Sequence, residues 1–345
     1  MIIKHMLTKH GRTLTFAGMS LVLMFGVSVG GWIFIGNKID APLHLQTTEA
    51  VYELKDGTTL GGMVRELHRE GFIESDLWLR IYGRLTFSAG QIKAGEYLLR
   101  SDMTQRDLLR LVRAGSVLQR QVTIIEGWNL DRIRSEIAST DGLLHVTQGM
   151  TNTELVARMG IEQPMAEGWF YPDTYAYTKG TTDLSLLMQS YRRMQAILDH
   201  EWSDRQRNLP YQSPYEVLVL ASMIEKETGM ASDRDKIAAV FLSRWQQRIK
   251  LQSDPTVIYG MGSLFNGDLR RRDLRAPTPY NTYTNLGLPP TPICSPGQGS
   301  IHAALHPANI TSLYFVSRGD GSSQFSDTLE EHNRAVKQFQ LDSSK

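Results

Sequence analysis

An uncharged, largely apolar segment near the N-terminus constrains this chain most, because its length decides where the rest of the protein can lie. Residues 13–36 carry no charged side chain, and most of them are apolar. About 20 such residues in a helix cross a hydrocarbon core roughly 30 Å thick. Lys4, Lys9 and Arg12 precede the segment, and basic residues favour the cytoplasmic side. The sequence therefore predicts a cytoplasmic tail over 1–12, a transmembrane helix over 13–36, and an exported remainder.

The alternative for this segment is a signal peptide that is cleaved off. Ser28-Val29-Gly30 has the small-x-small pattern of a cleavage site, but the apolar region of a signal peptide is typically about 7 to 15 residues long. Here apolar side chains resume after Gly31, with a tryptophan, two isoleucines and a phenylalanine. An uncleaved anchor is therefore favoured. A buried core helix is disfavoured because nothing strongly polar interrupts the run.

Composition narrows the class of the exported part. The 345 residues include 37 basic and 36 acidic side chains, so no strong positive charge supports nucleic-acid binding. A hydrophobic content of 41% with 21% charged residues is typical of a globular protein. The single cysteine, Cys294, rules out a disulfide within the chain.

A short polar linker over 37–50 leads to a predicted small α/β module over 51–116. Alternating side chains indicate strands, and threonines followed by apolar residues at helical spacing indicate capped helices. The predicted elements are a strand at 51–54, a helix after Thr59, a helix over 75–82, a strand within 93–99 and a helix from Thr104 to Gly115. None of these residues carries obvious chemistry, so the module is interpreted as a spacer.

Residues 117–345 predict a larger, mixed α+β domain, which places the whole chain in the α+β class. Its predicted elements are a strand at 122–125, a helix from about 131, helices over 183–201 and 214–228, and a helix from about 233. The motif at 167–175 contains four aromatic residues within seven positions. Pyranose rings stack on aromatic faces, so the motif suits a sugar-binding cleft. A loop buried against the core explains the same pattern equally well.

Two carboxylates at the end of the 214–228 helix are the sharpest candidates for chemistry. The helix is apolar almost all round from 217 to 224 and should be buried. The neighbours of Glu227 three and four positions back are isoleucine and methionine, whereas those of Glu225 are serine and alanine. Burial raises the pKa of a carboxyl group, and a protonated carboxyl can donate to a glycosidic oxygen. The competing interpretation is a helix end with exposed acids, one paired to Lys226 or Arg234.

Two later loops combine polar and aromatic side chains with prolines, as the loops of a polysaccharide groove do. They cover 251–260 and 277–290.

Taken together, these motifs resemble the endolytic murein transglycosylases of the MltG (YceG-like) family over essentially the whole chain. The motifs that carry the resemblance are Lys93-Ala94-Gly95-Glu96-Tyr97, residues 167–175 (EGWFYPDTY), residues 221–228 (ASMIEKET), residues 251–260 (LQSDPTVIYG), Tyr280-Asn281-Thr282-Tyr283 and His306-Pro307-Ala308. Their number and common order make chance agreement a poor explanation.

The resemblance implies a LysM-like module over 51–116, a catalytic domain over 117–345, and Glu227 as the catalytic residue. It implies lytic cleavage of the MurNAc–GlcNAc bond to a 1,6-anhydro end, which would terminate the elongation of nascent strands. It also implies peptidoglycan as substrate, membrane-bound peptidoglycan synthases as partners, an inner-membrane location, and no cofactor. Two departures, Ser253 where threonine is usual and Cys294 where a small residue is usual, put details of the cleft in doubt.

Beside Glu227, six residues are candidates for holding the sugar or orienting the catalytic carboxyl. They are Gln252, Asp254, Asn281, Tyr283, Glu225 and Tyr171.

Other chemistries remain in competition. A hydrolase would use Asp254 or Glu225 to activate water, and a glycan-binding scaffold would not turn over at all. A metal enzyme built on His302 and His306, with Glu330, Glu331 or His332, is disfavoured because the spacing is common by chance and no H-E-x-x-H motif is present.

Neither a glycine pair at 260–262 nor an arginine run at 270–272 indicates a specific binding site. The glycines around Met261 lack the strand and helix of a nucleotide loop. The arginines at 270–272 are interpreted as a solvated turn that could meet anionic stem peptides or lipid phosphates.

Overall fold

The computed structural model describes residues 3–86, 92–163 and 165–341, and the chain divides into two compact units, residues 1–120 and 121–345. Residues 1–2 of the predicted tail and 342–345 of the predicted catalytic domain lie outside the described residues. Both units combine helices with short strands, so the predicted α+β class is confirmed.

The N-terminal helix α1 runs over Ile3–Ile39, which extends beyond both predicted limits of 13–36. Its segment Val22–Ile39 is long and apolar enough to cross a membrane, and only 6% of it is buried within the protein. Large apolar side chains such as Val22, Phe25 and Ile33 are exposed along it. A surface of this kind is unfavourable in water and is consistent with single-pass membrane anchoring.

The rest of the first unit is a two-stranded antiparallel sheet with three helices. Its elements are β1 (Glu49–Leu54), α2 (Leu60–Arg69), α3 (Asp76–Thr86), β2 (Gly95–Arg100) and α4 (Gln105–Ala114). Glu49 pairs with Arg100 and Leu54 with Gly95 at the two ends of the sheet. The order of elements agrees with the one predicted, whereas the LysM-like assignment stays a prediction.

Local capping explains where the helices of this module begin. The Thr59 hydroxyl accepts the Gly62 N–H at 3.1 Å, and Thr104 forms a reciprocal capping box with Asp107. Gly115 ends α4 in the left-handed conformation at φ 70°, where a side chain would be strained. The hydrophobic core of this unit includes Ile39, which lies near the start of the predicted linker over 37–50. The linker therefore contributes a core side chain and does not only connect two segments.

The second unit is mainly helical, with two strand pairs too short to form a large sheet. Its strands are β3 (Arg120–Thr123), β4 (Thr174–Tyr177), β5 (Tyr314–Ser317) and β6 (Ser323–Ser326), and β3 pairs with β4 and β5 with β6. Its helices are α5 (Leu130–Ala138), α6 (Asn152–Met159), α7 (Asp183–Ser203), α8 (Pro214–Glu227), α9 (Arg234–Gln246), α10 (Asp254–Met261), α11 (Gln298–Leu305) and α12 (Leu329–Val336). Short 3-10 turns occur at 231–233, 262–264 and 273–275, and a π turn at 337–341.

Helix α8 lies at the centre of this unit and packs against α7, α9, α10 and α11. Eight consecutive residues from Val217 to Ile224 are buried, as expected for a helix that is apolar on every side. Proline at the first position suits the start of the helix because its missing N–H has no intrahelical partner there. The last residue of α8, Glu227, lies beside the loop that precedes α10.

Candidate active site

Glu227 is the last residue of α8, and its carboxyl group lies against the loop that precedes α10. The Ser253 hydroxyl donates a hydrogen bond to Glu227 Oε1 at 2.5 Å. Burial is the main cause that raises the pKa of this carboxyl, to about 7. The Ser253 hydrogen bond and the positive charge of Arg244 lower this pKa, whereas the negative charge of Asp254 raises it. A carboxyl with a pKa of about 7 is partly protonated and partly ionised near neutrality, so it can both donate and accept a proton.

The loop that carries Ser253 is held from two sides. Arg244 of α9 donates from Nη1 to the Leu251 carbonyl at 2.9 Å and to Gln252 Oε1 at 3.3 Å. On the other side, Thr282 accepts the Gln252 N–H at its carbonyl and the Ser253 N–H at its hydroxyl, at 3.1 and 2.9 Å. Neither Arg244 nor Thr282 was predicted, although Thr282 lies within a motif that the sequence singled out.

Gln252 has a backbone conformation that non-glycine residues rarely adopt. Its φ is 54°, in the left-handed region, which costs about 1 to 2 kcal/mol. Strain of this kind persists only where the surrounding contacts enforce it, and it is concentrated at functional sites. Here the contacts on both sides of the loop enforce it, and the next residue is directed toward Glu227. The predicted role of Gln252 in substrate binding stays a prediction, and its side chain is exposed.

Asp254 and Tyr283 form a second polar pair beside Glu227. The Tyr283 hydroxyl donates to Asp254 Oδ1 at 2.5 Å. Burial, this hydrogen bond and the charges of Asp254 and Glu227 together raise the pKa of Tyr283, so the phenol stays protonated. The structure thus brings together Glu227, Gln252, Asp254 and Tyr283, four of the residues singled out from the sequence.

Asn281 lies in the same motif as Tyr283 but points into the protein. It is fully buried, and its Nδ2 donates to the carbonyls of Asp273, Leu274 and Ala276, the last at 2.7 Å. Its Oδ1 accepts the Tyr283 N–H at 2.8 Å. These contacts favour a role in holding the loop rather than touching a ligand. The substrate-binding assignment of Asn281 stays a prediction.

Glu225 is directed to the N-terminus of α11. Its Oε2 accepts the Gly297 N–H at 3.0 Å and the Ser300 hydroxyl at 2.7 Å, and its Oε1 lies 3.9 Å from Arg234 Nη2. A carboxylate at a helix N-terminus satisfies N–H groups that have no intrahelical partner. This arrangement favours a structural role for Glu225, whose predicted part in substrate binding or water activation stays a prediction.

The aromatic motif at 167–175 supplies core side chains more than a cleft. Trp169, Phe170 and Tyr175 are buried within the hydrophobic core of the second unit. Tyr171 is partly exposed, its ring lies 5.4 Å from the Arg193 guanidinium, and its carbonyl accepts the Tyr175 hydroxyl at 2.6 Å. Tyr171 is therefore placed against α7, and its predicted contact with substrate stays a prediction.

The first residue of that motif, Glu167, has a role that was not predicted. Its buried carboxylate accepts the Leu130 N–H at 3.0 Å and the Tyr259 hydroxyl at 2.9 Å, while burial raises its pKa to about 7. It thereby joins the start of α5 to α10. No signal in the sequence distinguished it, because both partners lie far along the chain.

Between these two helices lies a groove of about 950 Å³. Its lining includes Trp128, Tyr259, Tyr280, Lys226, Pro255 and Glu167. Two of these lining residues, Lys226 and Pro255, are the immediate chain neighbours of Glu227 and Asp254. Aromatic rings with a few polar groups at this volume suit a carbohydrate ligand.

Two histidines that were candidate metal ligands, His302 in α11 and His306 directly after that helix, stack their rings on each other. His302 Nδ1 lies 2.8 Å from Glu201 Oε2, and ligand atoms of Glu201, His302 and His306 all lie within 4.8 Å of one another. Both ring nitrogens of His306 contact backbone carbonyls, at 3.2 and 2.9 Å. This favours helix capping and packing over metal binding. Among the residues that the structure describes, the acidic side chain grouped with these two histidines is Glu201. The predicted further ligands Glu330, Glu331 and His332 are not part of that group.

Comparison with known proteins identifies relatives over most of the chain. The YceG-like family matches residues 52–338. An endolytic murein transglycosylase of Bacillus subtilis is 29% identical over 331 residues, covering 90% of this chain and 91% of the relative. One of Streptococcus pneumoniae is 26% identical over 355 residues, and the chain spans 63% of that relative's length. The crystal structure of a YceG-like protein from Listeria monocytogenes, 29% identical, superimposes with a TM-score of 0.56 and covers 83% of this chain and 98% of that one.

Proposed function

Because this chain belongs to the YceG-like family, whose curated relatives are endolytic murein transglycosylases, we infer that it is an endolytic lytic transglycosylase of peptidoglycan. The observation that supports placing this activity at Glu227 is its carboxyl group, which lies at the end of the buried helix α8 and has a pKa of about 7. The groove beside it would hold the glycan strand, with Trp128 and Tyr259 as stacking surfaces.

In the proposed mechanism Glu227 acts twice. As an acid it protonates the oxygen between MurNAc and GlcNAc, so the bond to MurNAc C1 breaks. As a carboxylate it then takes the proton of the MurNAc C6 hydroxyl, whose oxygen closes on C1 to give a 1,6-anhydro end. Ser253 occupies Oε1, and among the described residues no hydrogen bond engages Oε2, which is the oxygen placed to carry the proton.

The surroundings of the other carboxylates support this one-carboxyl mechanism over hydrolysis. A hydrolase needs a second carboxylate to act as nucleophile or to activate water. Glu225 is engaged by the N-terminus of α11, and Asp254 accepts the Tyr283 hydroxyl. We propose that Asp254 instead raises the pKa of Glu227 through its charge and that Tyr283 orients the sugar.

Ser253→Ala and Asp254→Asn are expected to shift the pH dependence of cleavage in opposite directions. The Ser253 hydroxyl stabilises ionised Glu227, so its removal raises the pKa of Glu227, whereas loss of the Asp254 charge lowers it. Reaction begins from protonated Glu227, so kcat/KM of the wild type falls as the pH rises through about 7. The pH at which kcat/KM falls is expected to be about half to one unit higher in Ser253→Ala than in the wild type. In Asp254→Asn it is expected to be lower by about the same amount.

The matched control for this pair is Ser253→Thr, which keeps a hydroxyl in place and should leave the pH profile unshifted. The measurement is kcat/KM from pH 5 to 9 with uncrosslinked strands. Shifts in the same direction for both variants would contradict the assignment of Glu227 as the titrating acid.

We propose that α1 anchors the enzyme in the inner membrane with its N-terminus in the cytoplasm. The apolar exposed surface of Val22–Ile39 and the basic residues before it support this orientation. The catalytic unit then acts outside the membrane, close to where strands are made, and terminates the elongation of nascent strands beside membrane-bound synthases. Protease added to intact spheroplasts should digest the second unit, and cross-linking in cells should recover synthases. Protection of the second unit would reverse the orientation.

The reaction is tested by mass spectrometry of the products formed from uncrosslinked peptidoglycan strands by the full chain in detergent. Internal fragments with 1,6-anhydroMurNAc ends are expected. Reducing ends in their place would establish a hydrolase, in which Asp254 or Glu225 activates water. Binding of strands without any new ends would establish a glycan-binding scaffold.

A further inference from the structure

A second, smaller cavity is lined in part by Tyr283, the residue that forms a polar pair with Asp254. It has a volume of about 450 Å³ and is lined by Arg271, Leu274, Arg275, Tyr283 and Thr284. From the sequence, the arginine run at 270–272 was expected to form a solvated turn. In the structure, one member of the run and a further arginine face a cavity.

This cavity is connected to the catalytic carboxyl through a short series of contacts. Tyr283 lines it, and the Tyr283 hydroxyl donates to Asp254 at 2.5 Å. The residue before Asp254 is Ser253, which donates to Glu227 at 2.5 Å. The negative charge of Glu227 also helps to raise the pKa of Tyr283, after burial and the hydrogen bond and charge of Asp254. A group bound in the cavity is therefore near the bond that Glu227 would cleave.

Arg271 and Arg275, which line the cavity, differ from Arg270 and Arg272 in their ion pairs. Arg270 pairs with Asp268 at 3.2 Å, and Arg272 with Asp273 at 3.5 Å. Arg271 and Arg275 are exposed, and neither forms an ion pair with any residue that the structure describes. Each offers a planar set of N–H donors that matches a carboxylate in a two-point contact.

Buried contacts fix the turn that presents these arginines. Asn281 donates from its side-chain amide to the carbonyls of Asp273, Leu274 and Ala276, which flank Arg275. The same Asn281 accepts the Tyr283 N–H at 2.8 Å. One buried side chain therefore sets the position of the arginine turn and of Tyr283 together.

We propose that Arg271 and Arg275 bind a carboxylate of the stem peptide on the MurNAc residue at the cut. This inference rests on the proposed function. The stem peptide is attached through the lactyl group of MurNAc C3, two ring atoms from the C1 that reacts, so its carboxylates accompany every cut. The pyrophosphate of a lipid-linked strand is also an anion, but it lies at the strand end, away from a bond cleaved within the strand.

The test compares two enzymes on two substrates. The enzymes are the full chain and its Arg271→Gln/Arg275→Gln double variant, and the substrates are uncrosslinked strands with native stem peptides and the same strands after amidation of their carboxylates. The double variant is expected to lose about tenfold in kcat/KM on native strands, as two partly exposed charged contacts would supply. Wild type should lose a similar factor on amidated strands, and the double variant should lose nothing further on them.

Arg270→Gln/Arg272→Gln is the matched control, because it removes the same charge from the same turn but from residues outside the cavity lining. It is expected to cleave native strands at the wild-type rate. An equal loss in the control, additive losses in the double variant, or no loss at all would overturn the inference. A loss that disappears when the lipid pyrophosphate is removed by mild acid would assign the site to that group and overturn it as well.

Failure of the inference and failure of the proposed function give different results. If wild type yields no anhydro ends on native strands, the proposed function fails. If it yields them at a rate that is indifferent to Arg271, Arg275 and the stem-peptide carboxylates, only the inference fails.

Discussion

Glu227→Gln is expected to reduce the formation of anhydro ends from peptidoglycan strands by about a thousandfold or more, with strand binding retained. General acid and base catalysis by a positioned group contributes about 10² to 10⁴ in rate, and here one carboxyl serves both steps. Glutamine keeps the shape of the side chain and can accept the Ser253 hydrogen bond, but it neither donates an acidic proton nor accepts one. The measurement is single-turnover product formation by mass spectrometry, beside binding of the same strands.

The stability of this variant shows whether loss of activity reflects chemistry or misfolding. The pKa of Glu227 is about 7 in the fold against an ordinary value of 4.5, so its ionised form is disfavoured by the folded state. This cost is absent below pH 4.5 and fully present above pH 7, and a shift of this size corresponds to about 3 kcal/mol. Glu227→Gln should therefore match the wild type in stability near pH 4 and exceed it near pH 8. A variant that is inactive and less stable at pH 8 would contradict the assignment.

Glu225→Ala is expected to lower the free energy of unfolding by about 2 to 4 kcal/mol, although Glu225 lies only two residues from Glu227 in the chain. Its carboxylate has a side-chain exposure of 7% and receives the Gly297 N–H and the Ser300 hydroxyl beside Arg234. Removal leaves the start of α11 and a mostly buried guanidinium without their acceptor. For a unit of this size the loss corresponds to a fall in Tm of about 5 to 10 °C, measured by scanning fluorimetry.

The matched control at this position is Glu225→Gln, whose amide oxygen still accepts hydrogen bonds from α11. It should lose about 1 kcal/mol or less and should cleave strands well below its Tm at a rate close to that of the wild type. If Glu225→Gln were instead as inactive as Glu227→Gln, Glu225 would take part in the chemistry and the hydrolase alternative would return.

The predictions from sequence that the structure reproduced concern local order. Thr59 and Thr104 cap the helices that follow them because a side-chain oxygen accepts an N–H only two or three residues away. Helix α8 is buried because its apolar residues cover every side, whatever packs against them. The comparison of the helical neighbours of Glu225 and Glu227 likewise depended on helical spacing alone.

The sequence by itself thus determined the apolar N-terminal helix and the order of helices and strands in the first unit. It also predicted Glu227, rather than Glu225, as the catalytic residue. Only the tertiary structure decided the hydrogen bond between Ser253 and Glu227 and the inward orientation of Asn281. It also decided that Arg244 and Thr282 hold the loop of Ser253 by hydrogen bonds. It also decided that Glu225 and Glu167 each meet the start of a distant helix. The physical reason is that helical period and capping act within a few residues, whereas these side chains meet partners brought together by packing of the whole unit.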